Sequence, residues 1–205
     1  MFHVKHEAWA RDALSVGAIA LTSRQQDQLA AYEDLLKRVA LPRGMIAASD
    51  ADRLWERHIL DGLRGAHEIP PGASVADLGS GAGIPGIPIA VVRPDARFTL
   101  IEPRKARAAL LEAAMDEISL VNVEVVPKRA EEVAGLFEVC TARAFASPLM
   151  TWQAAQDVLA ADGVLIYWAG QRFDPRVLAD GGVQFRLSTA SDLARTGPLV
   201  IMGPQ

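Results

Sequence analysis

Residues 75–90 read VADLGSGAGIPGIPIA and are the most informative segment of the sequence. The apolar run that ends near Leu78 predicts a β-strand, and glycines follow it at positions 79, 81, 83 and 86. Glycine adopts positive φ easily and lets a ligand approach the backbone closely. Pro85 suits the first turn of a helix, where a backbone N–H would have no helical partner. The stretch therefore predicts a ligand-binding loop between a strand and a helix of an α/β sheet.

Short β-like runs alternate with helical segments through the rest of the chain. Strands are predicted near residues 74–78, 97–101, 122–126, 138–143, 163–168, 183–187 and 198–202. Helices are predicted between the first five of these strands, over residues 85–92, 104–118, 129–136 and 148–160. Such alternation implies right-handed crossovers and a mostly parallel, doubly wound sheet. The short polar connection before the last strand predicts an antiparallel pair at the edge of that sheet.

The first 70 or so residues have helical patterns instead. Thr22 and Ser23 are candidate N-caps for a helix that runs to Ala40, and Ser49 or Asp50 is a candidate cap for the next one. We therefore expect two parts in one structural unit. Residues 1–72 form an N-terminal helical extension that packs on the core, and residues 73–205 form the ligand-binding domain.

Composition excludes some classes of protein and leaves others open. The net charge is −4, which does not indicate a nucleic-acid binder but leaves room for a local basic face. The single cysteine, Cys140, permits no disulfide within the chain and no cysteine-rich metal site. We expect it to be a buried strand residue in a reducing, cytoplasmic setting. No apolar run has the roughly 20 residues needed to cross a bilayer. We expect no metal ion and no membrane partner.

The glycine loop can be interpreted in two ways. From Gly81 it fits GxGxxG, the dinucleotide fingerprint, with Glu102 about 20 residues further on for ribose hydroxyls, which leaves a nicotinamide enzyme as an alternative. From Asp77 the spacing Asp-x-Gly-x-Gly-x-Gly resembles the first motif of class I S-adenosylmethionine-dependent methyltransferases. A carboxylate at the end of the strand suits the ammonium of a methionine moiety and would repel a pyrophosphate. The predicted strand order also favours the methyltransferase fold.

Separated segments extend this likeness to one family. They are Arg57–Asp61 (RHILD), Asp77–Pro88 (DLGSGAGIPGIP), Val92–Pro94 (VRP), Arg129–Glu132 (RAEE) and Arg143–Ser147 (RAFAS). Together they resemble the bacterial 16S ribosomal RNA guanine-N7 methyltransferase family, also called glucose-inhibited division protein B. The resemblance covers residues 50–150 most strongly. It implies an α/β, Rossmann-like class I methyltransferase fold with a seven-stranded, mostly parallel sheet, an antiparallel C-terminal hairpin and an N-terminal helical extension.

The motif and the resemblance together predict the site residues. The expected contacts of S-adenosylmethionine are Asp77, Gly79, Ser80, Gly81, Gly83, Ile84, Glu102, Ala130, Glu131 and Arg143. The expected RNA contacts are Arg57, His58, Arg104 and Arg143. No residue is assigned as a catalytic base, because guanine N7 carries a lone pair and no proton. Arg143 is expected at the junction of the two ligands.

Several of these residues also have a purely structural interpretation. His58 lies on an apolar helix face and fits a packed, hydrogen-bonded histidine; Arg57 and Asp61 fit an i,i+4 pair. Arg104 and its basic neighbours fit a solvated helix face. The chain also departs from the family, with Met45–Ala48 in place of an Asn-Leu-Thr segment and with Ala106 and Ala169 where the family has lysines.

The resemblance implies the function as well. We expect a monomeric cytoplasmic enzyme that methylates N7 of a guanosine in a loop of 16S ribosomal RNA, with that RNA or the small ribosomal subunit as its partner. A class I methyltransferase of another substrate is one alternative. A noncatalytic RNA-binding or ribosome-binding module that keeps the fold is another, which the missing lysines favour.

Overall fold

The structure is a computed structural model that describes residues 2–17, 19–189, 193 and 196–204. The strands are β1 (Ser74–Leu78), β2 (Arg97–Ile101), β3 (Val123–Val126), β4 (Phe137–Arg143), β5 (Leu159–Trp168), β6 (Phe185–Leu187) and β7 (Leu199–Met202). The α-helices are α1 (Phe2–Gly17), α2 (Ser23–Leu35), α3 (Asp61–Leu63), α4 (Gly86–Val92), α5 (Lys105–Ile118), α6 (Pro148–Gln156) and α7 (Arg176–Asp180).

All seven strands form one sheet in the order β3-β2-β1-β4-β5-β7-β6. The first five pair in parallel, and β7 pairs antiparallel with both β5 and β6. The order reverses between β1 and β4, and the glycine loop leaves the end of β1 at this switch point. The predicted class I methyltransferase fold, with a mostly parallel sheet and an antiparallel C-terminal pair, is confirmed. The connection between β6 and β7 includes residues 190–192, 194 and 195, which lie outside the described part of the chain.

The predicted helix over residues 129–136 is wrong. Only a 3₁₀ turn, Ala130–Glu132, forms there. Its start is capped by Glu132, whose carboxylate accepts a hydrogen bond from the backbone N–H of Arg129 at 3.0 Å. Val133 is already extended, and Gly135 has φ of +125°, a conformation that ends any helix. The crossover from β3 to β4 is therefore mostly irregular.

One N-terminal capping prediction is confirmed and another is wrong. Thr22 caps α2, and its side chain and that of Gln25 bond reciprocally to each other's backbone. The helix continues through a π-helical turn, Leu36–Ala40. Neither Ser49 nor Asp50 caps a helix, because both lie inside a 3₁₀ helix, Ala48–Arg53. The carboxylate of Asp50 is buried and bonds to the side chain of His58 instead of to backbone N–H groups. The chain then continues through a π-helical segment, Trp55–Leu60, into α3, and a 3₁₀ turn, Ala66–Glu68, follows.

The N-terminal helices and one face of the sheet share a single hydrophobic core. Leu29, Ile59, Val75, Phe98 and Leu111 all lie in this core with at most 2% of their surface exposed. A smaller core covers the opposite face of the sheet beneath α6 and α7 and includes the buried Cys140. No helix in the described part of the chain is long and apolar enough to cross a membrane. Nor do His, Cys, Asp and Glu side chains of those residues gather in any group that could hold a metal ion.

Candidate functional site

The glycine loop is held against the end of β2 by its own backbone. The N–H groups of Gly79 and Ser80 both donate to the carbonyl of Ile101, at 2.9 and 3.1 Å. Gly79 and Gly81 have φ of +65° and +57°, which a side chain would strain. A Cβ at Gly79 would lie 2.6 Å from the ring of Phe145. A side chain at position 79 would therefore strain the backbone and collide with Phe145, so the close packing of the loop against Phe145 requires glycine there.

The N-terminal extension fixes the same loop from the other side. Tyr32, on α2, is fully buried, and its hydroxyl donates to the carbonyl of Ala82 at 2.9 Å. Burial raises the pKa of Tyr32 well above its usual range, so the phenol keeps its proton and remains a donor at neutral pH. The sequence placed Tyr32 only inside the helix predicted to run to Ala40. A signal was present there, because Tyr32 is the one tyrosine among the aliphatic residues Leu29, Leu35, Leu36 and Val39, which share its helical spacing.

Asp77 lies beneath the loop and not on its surface. Only 1% of the residue is exposed, and its Oδ1 accepts a hydrogen bond from Thr141 Oγ1 at 2.7 Å. Oδ2 faces the backbone of Gly86. The Gly86 backbone lowers the pKa of Asp77 somewhat, but it makes no well-aligned hydrogen bond to Oδ2. Burial is the largest influence and raises the pKa of Asp77 to about 6. Within the described protein, one oxygen of the Asp77 carboxylate therefore has no hydrogen-bond partner. Burying this group at the end of β1 lowers the free energy of unfolding when the group is ionised.

Glu102 supports the loop from the end of β2. Its Oε2 accepts from the N–H of Gly81 at 3.1 Å, and its Oε1 accepts from the N–H of Arg104 at 2.9 Å. The residue is 3% exposed. A carboxylate offers about four lone-pair sites, so two of them stay available beside these bonds.

A small cleft of 250 Å³ opens directly over the loop. Its lining residues are Met45, Ile46, Ala47, His58, Gly79, Ser80, Gly81, Ala82, Ile84, Arg107, Arg143 and Ala144. The N-terminal extension thus supplies one wall, including the Met45–Ala47 segment that departs from the family pattern. Arg107 contributes a cation that the sequence placed only on a helix face.

A larger cleft of 540 Å³ lies beside it, at the ends of β4 and β5. Its lining residues are Arg57, Asp61, Arg143, Ala144, Tyr167, Trp168, Ala169, Gly170, Gln171, Arg172, Thr196 and Gly197. Arg143 and Ala144 line both clefts. Ala144 has φ of +53°, uncommon for a residue with a side chain, and it turns the chain where the two clefts meet.

Arg143 is fixed from both sides at this junction. Its Nη2 donates to the carbonyl of Arg57 at 2.7 Å, and its Nη1 lies 3.4 Å from Oδ2 of Asp61. Burial lowers the pKa of Arg143, and the carboxylate of Asp61 opposes that effect. Asp61 also accepts from the buried Arg64 at 2.9 Å. Both oxygens of Asp61 are therefore engaged by arginines, and its predicted i,i+4 partner Arg57 turns elsewhere.

Arg57 and His58 share a different carboxylate, that of Asp50. His58 Nε2 lies 3.0 Å from Oδ2 of Asp50, and Arg57 Nε lies 3.3 Å from Oδ1. Burial is the largest cause that lowers the pKa of His58 to about 4, and Arg143 adds to it, against the opposing influence of Asp50. His58 is therefore a neutral, packed ring at physiological pH that still contributes to the wall of the small cleft.

The other predicted contacts lie outside the two clefts. Gly83 has φ of +96°, and a Cβ there would lie 2.4 Å from Ile87, so it serves helix packing. Ala130 is buried in the smaller core, while Glu131 and Arg104 are exposed. Asp77 and Glu102 act on the loop from below, as described above. The structure thus gathers Gly79, Ser80, Gly81, Ile84, His58, Arg57 and Arg143 around the clefts and leaves the rest at their margin.

Two solved methyltransferases are similar to this chain in fold. A SAM-dependent methyltransferase from Aquifex aeolicus matches with a TM-score of 0.56 at 16% identity, covering 77% of this chain and 98% of that one. A ribosomal protein L11 methylase from Lactobacillus delbrueckii subsp. bulgaricus matches with a TM-score of 0.58 at 16% identity, covering 73% and 79%. At such identities the likeness establishes the fold alone.

Sequence relatives narrow the assignment. The Kineococcus radiotolerans protein named ribosomal RNA small subunit methyltransferase G is 37% identical over 177 residues, which cover 84% of this chain and 70% of that one. The protein of the same name from Corynebacterium glutamicum is 35% identical over 187 residues, covering 84% and 82%. A profile of the family described as rRNA small subunit methyltransferase G, or GidB, matches residues 25–180. The chain belongs to the rRNA small subunit methyltransferase G family.

Proposed function

We propose that this protein transfers a methyl group from S-adenosylmethionine to N7 of a guanosine in a loop of 16S ribosomal RNA. The observation that carries the proposal is the junction at Arg143. In a chain of this family, one arginine side chain lines both the cleft over the glycine loop and the larger cationic cleft beside it. A cofactor and a nucleotide bound in these two clefts would meet at that residue.

The residues around the loop fit S-adenosylmethionine. The negative charge of Asp77 beneath the loop favours a nearby ammonium, directly or through water. The two free lone-pair sites of Glu102 suit ribose hydroxyls, and the bare backbone at Gly79 and Gly81 allows close contact. When bound, this cofactor supplies a methyl group on a sulfonium. Ala130 and Glu131 are proposed to border its adenine, as the resemblance implies.

Catalysis in this proposal rests on positioning. Guanine N7 needs no deprotonation, and the ring of His58 is neutral at physiological pH, so no base is required or assigned. Holding the nucleophile in line with the methyl carbon removes an entropic cost of several kcal/mol from the reaction barrier. Arg143, fixed by the carbonyl of Arg57 and the carboxylate of Asp61, presents a rigid planar cation to the nucleotide.

The RNA is proposed to enter from the side of Arg57, Arg104 and Arg143. In an A-form helix N7 is hidden in a deep, narrow groove, so the target guanosine must lie in a loop or be flipped out. We also propose that the protein works as a cytoplasmic monomer. In it, residues 1–72 form an extension that completes the site of the methyltransferase domain, residues 73–205.

Methyl transfer tests the proposal directly. Purified protein is incubated with methyl-labelled S-adenosylmethionine and small-subunit RNA, and the product nucleoside is identified by chromatography. We expect 7-methylguanosine at one site. The Gly79→Asp variant is expected to lose it, because the new side chain would collide with Phe145 and occupy the small cleft.

A matched control separates the loss of the binding site from the backbone strain that any side chain causes at a glycine with positive φ. Gly72 has φ of +74°, similar to that of Gly79, but a Cβ there meets nothing within 4 Å and the turn lies before β1. Gly72→Asp should therefore keep the activity. Methylation unaffected by Gly79→Asp would overturn the cofactor site. Saturable binding of NADH with no binding of S-adenosylhomocysteine would favour the dinucleotide interpretation, and RNA binding without methylation would favour the noncatalytic module.

A further inference from the structure

The described lining residues of the larger cleft include three arginines, and two of them already pair with carboxylates. Arg57 pairs with Asp50 and Arg143 pairs with Asp61. Arg172, on the turn after β5, is exposed and, within the part of the chain that the structure describes, makes no hydrogen bond or ion pair. It is therefore the cation of this cleft that is available to a ligand.

The charge balance of the cleft supports the same view. The only carboxylate among its described lining residues is that of Asp61. Its two oxygens are taken by Arg64 and Arg143, at 2.9 and 3.4 Å. None of those described lining residues offsets the charge of Arg172, so the described part of the cleft carries a positive charge that is not compensated.

The turn that carries Arg172 is fixed in place. It follows the end of β5, and the N–H of Phe173 closes it by donating to the carbonyl of Gly170 at 3.0 Å. Gly197 packs so tightly against it that a Cβ there would lie 2.2 Å from the carbonyl oxygen of Ala169. The backbone of the turn is thus held by β5 on one side and by the segment before β7 on the other. Only the guanidinium group has to be ordered when a ligand binds.

We propose that Arg172 binds a phosphate of the RNA chain at the rim of the larger cleft. This inference rests on the proposed function and adds a second RNA contact to the cleft that Arg143 lines. A guanidinium matches a phosphate through two parallel N–H···O bonds, which fixes orientation as well as charge. Ala169 also lines this cleft and is buried, and its methyl side chain takes up little of the space that a nucleotide would need. Arg143 then meets the target nucleotide, and Arg172 anchors the backbone beside it.

The test compares two variants that remove the same charge four positions apart. Arg172→Ala deletes the proposed contact, and Arg176→Ala deletes an arginine whose side chain is 83% exposed and paired with Asp174. RNA affinity is measured by filter binding across a series of salt concentrations, and methylation is followed as kcat and KM for RNA. Both positions are exposed, so we expect both variants to fold.

Arg172→Ala should weaken RNA binding about tenfold and make its logarithmic salt dependence shallower by about one. KM for RNA should rise with little change in kcat, and binding of S-adenosylhomocysteine should not change. Arg172→Lys should recover part of the affinity, since the charge returns without the fork of donors. Arg176→Ala should behave as wild type.

Equal RNA affinity and equal salt dependence for the two alanine variants would overturn the proposal. So would an effect of Arg172→Ala on cofactor binding alone. Failure of the proposed function looks different: wild-type protein would then bind RNA without methylating it, and the filter-binding comparison would still decide the role of Arg172.

Discussion

Replacing Asp77 by asparagine should remove a pH dependence of stability that the wild-type chain carries. Asp77 is buried beneath the glycine loop, and its pKa is raised from 3.8 to about 6. The folded protein therefore holds a proton on this group over a pH range in which the unfolded chain has already released it. Stability must fall as the pH rises through that range.

The magnitude follows from the two pKa values. One pKa unit corresponds to about 1.4 kcal/mol, so a rise from 3.8 to about 6 costs about 3 kcal/mol once the pH is well above 6. About 2 kcal/mol of this loss falls between pH 4.5 and pH 8. An asparagine side chain at this position would not titrate, and its amide oxygen can still accept the hydrogen bond from Thr141.

Urea unfolding of both proteins across this pH range measures the effect. Other titrating groups contribute equally to each protein, so the difference in the free energy of unfolding isolates Asp77. We expect Asp77→Asn to gain about 2 kcal/mol relative to wild type between pH 4.5 and pH 8. If the free energy of unfolding varied with pH in the same way for Asp77→Asn and wild type, burial would not raise the pKa of Asp77 and the reasoning would be refuted.

Two further predictions concern the N-terminal wall of the site. Tyr32→Phe should weaken binding of S-adenosylhomocysteine about fivefold in calorimetric titration, because one hydrogen bond of about 1 kcal/mol no longer fixes the carbonyl of Ala82. The control is Gln28→Ala, which loses a hydrogen bond between α2 and the end of α5 and should bind the ligand as wild type does. His58 should titrate near pH 4 in an NMR pH series, since burial outweighs the attraction of Asp50, and stability should fall as the pH drops from 6.5 towards 4. Unchanged affinity in the Tyr32 variant, or an imidazole shift near pH 6.5, would contradict these expectations.

Sequence patterns predicted those features of the fold that depend on residues close together in the chain. The alternation of strands and helices, the glycine loop after β1 and the capping box at Thr22 all depend on neighbours in the chain. The 129–136 segment failed because its apolar residues resemble a helix, while Gly135 adopts a φ of +125° that a pattern cannot reveal. Asp50 failed for another reason: it has the chemistry of a cap, but His58 and Arg57 recruit its carboxylate.

The site itself was predicted in part. Motif positions such as Gly79, Gly81 and Arg143 line the clefts, as expected of residues chosen from a loop and a strand end. Tyr32 and Arg172 were not predicted to act at the site, because neither belongs to a motif. Tyr32 reaches the loop only after α2 packs against α4 and α5, and Arg172 is brought to the larger cleft by the turn after β5.

The hydrogen bonds that close the site join distant parts of the chain. Tyr32 and Ala82 are 50 residues apart, Arg143 and Arg57 are 86 apart, and Trp168 donates to the carbonyl of Asp61 across 107 residues. During synthesis the glycine loop leaves the ribosome well before β5, so a growing chain holds the loop without its second wall. Folds that depend on such long-range contacts form slowly. The complete site should therefore appear only after β5 has been made and has paired with the rest of the sheet.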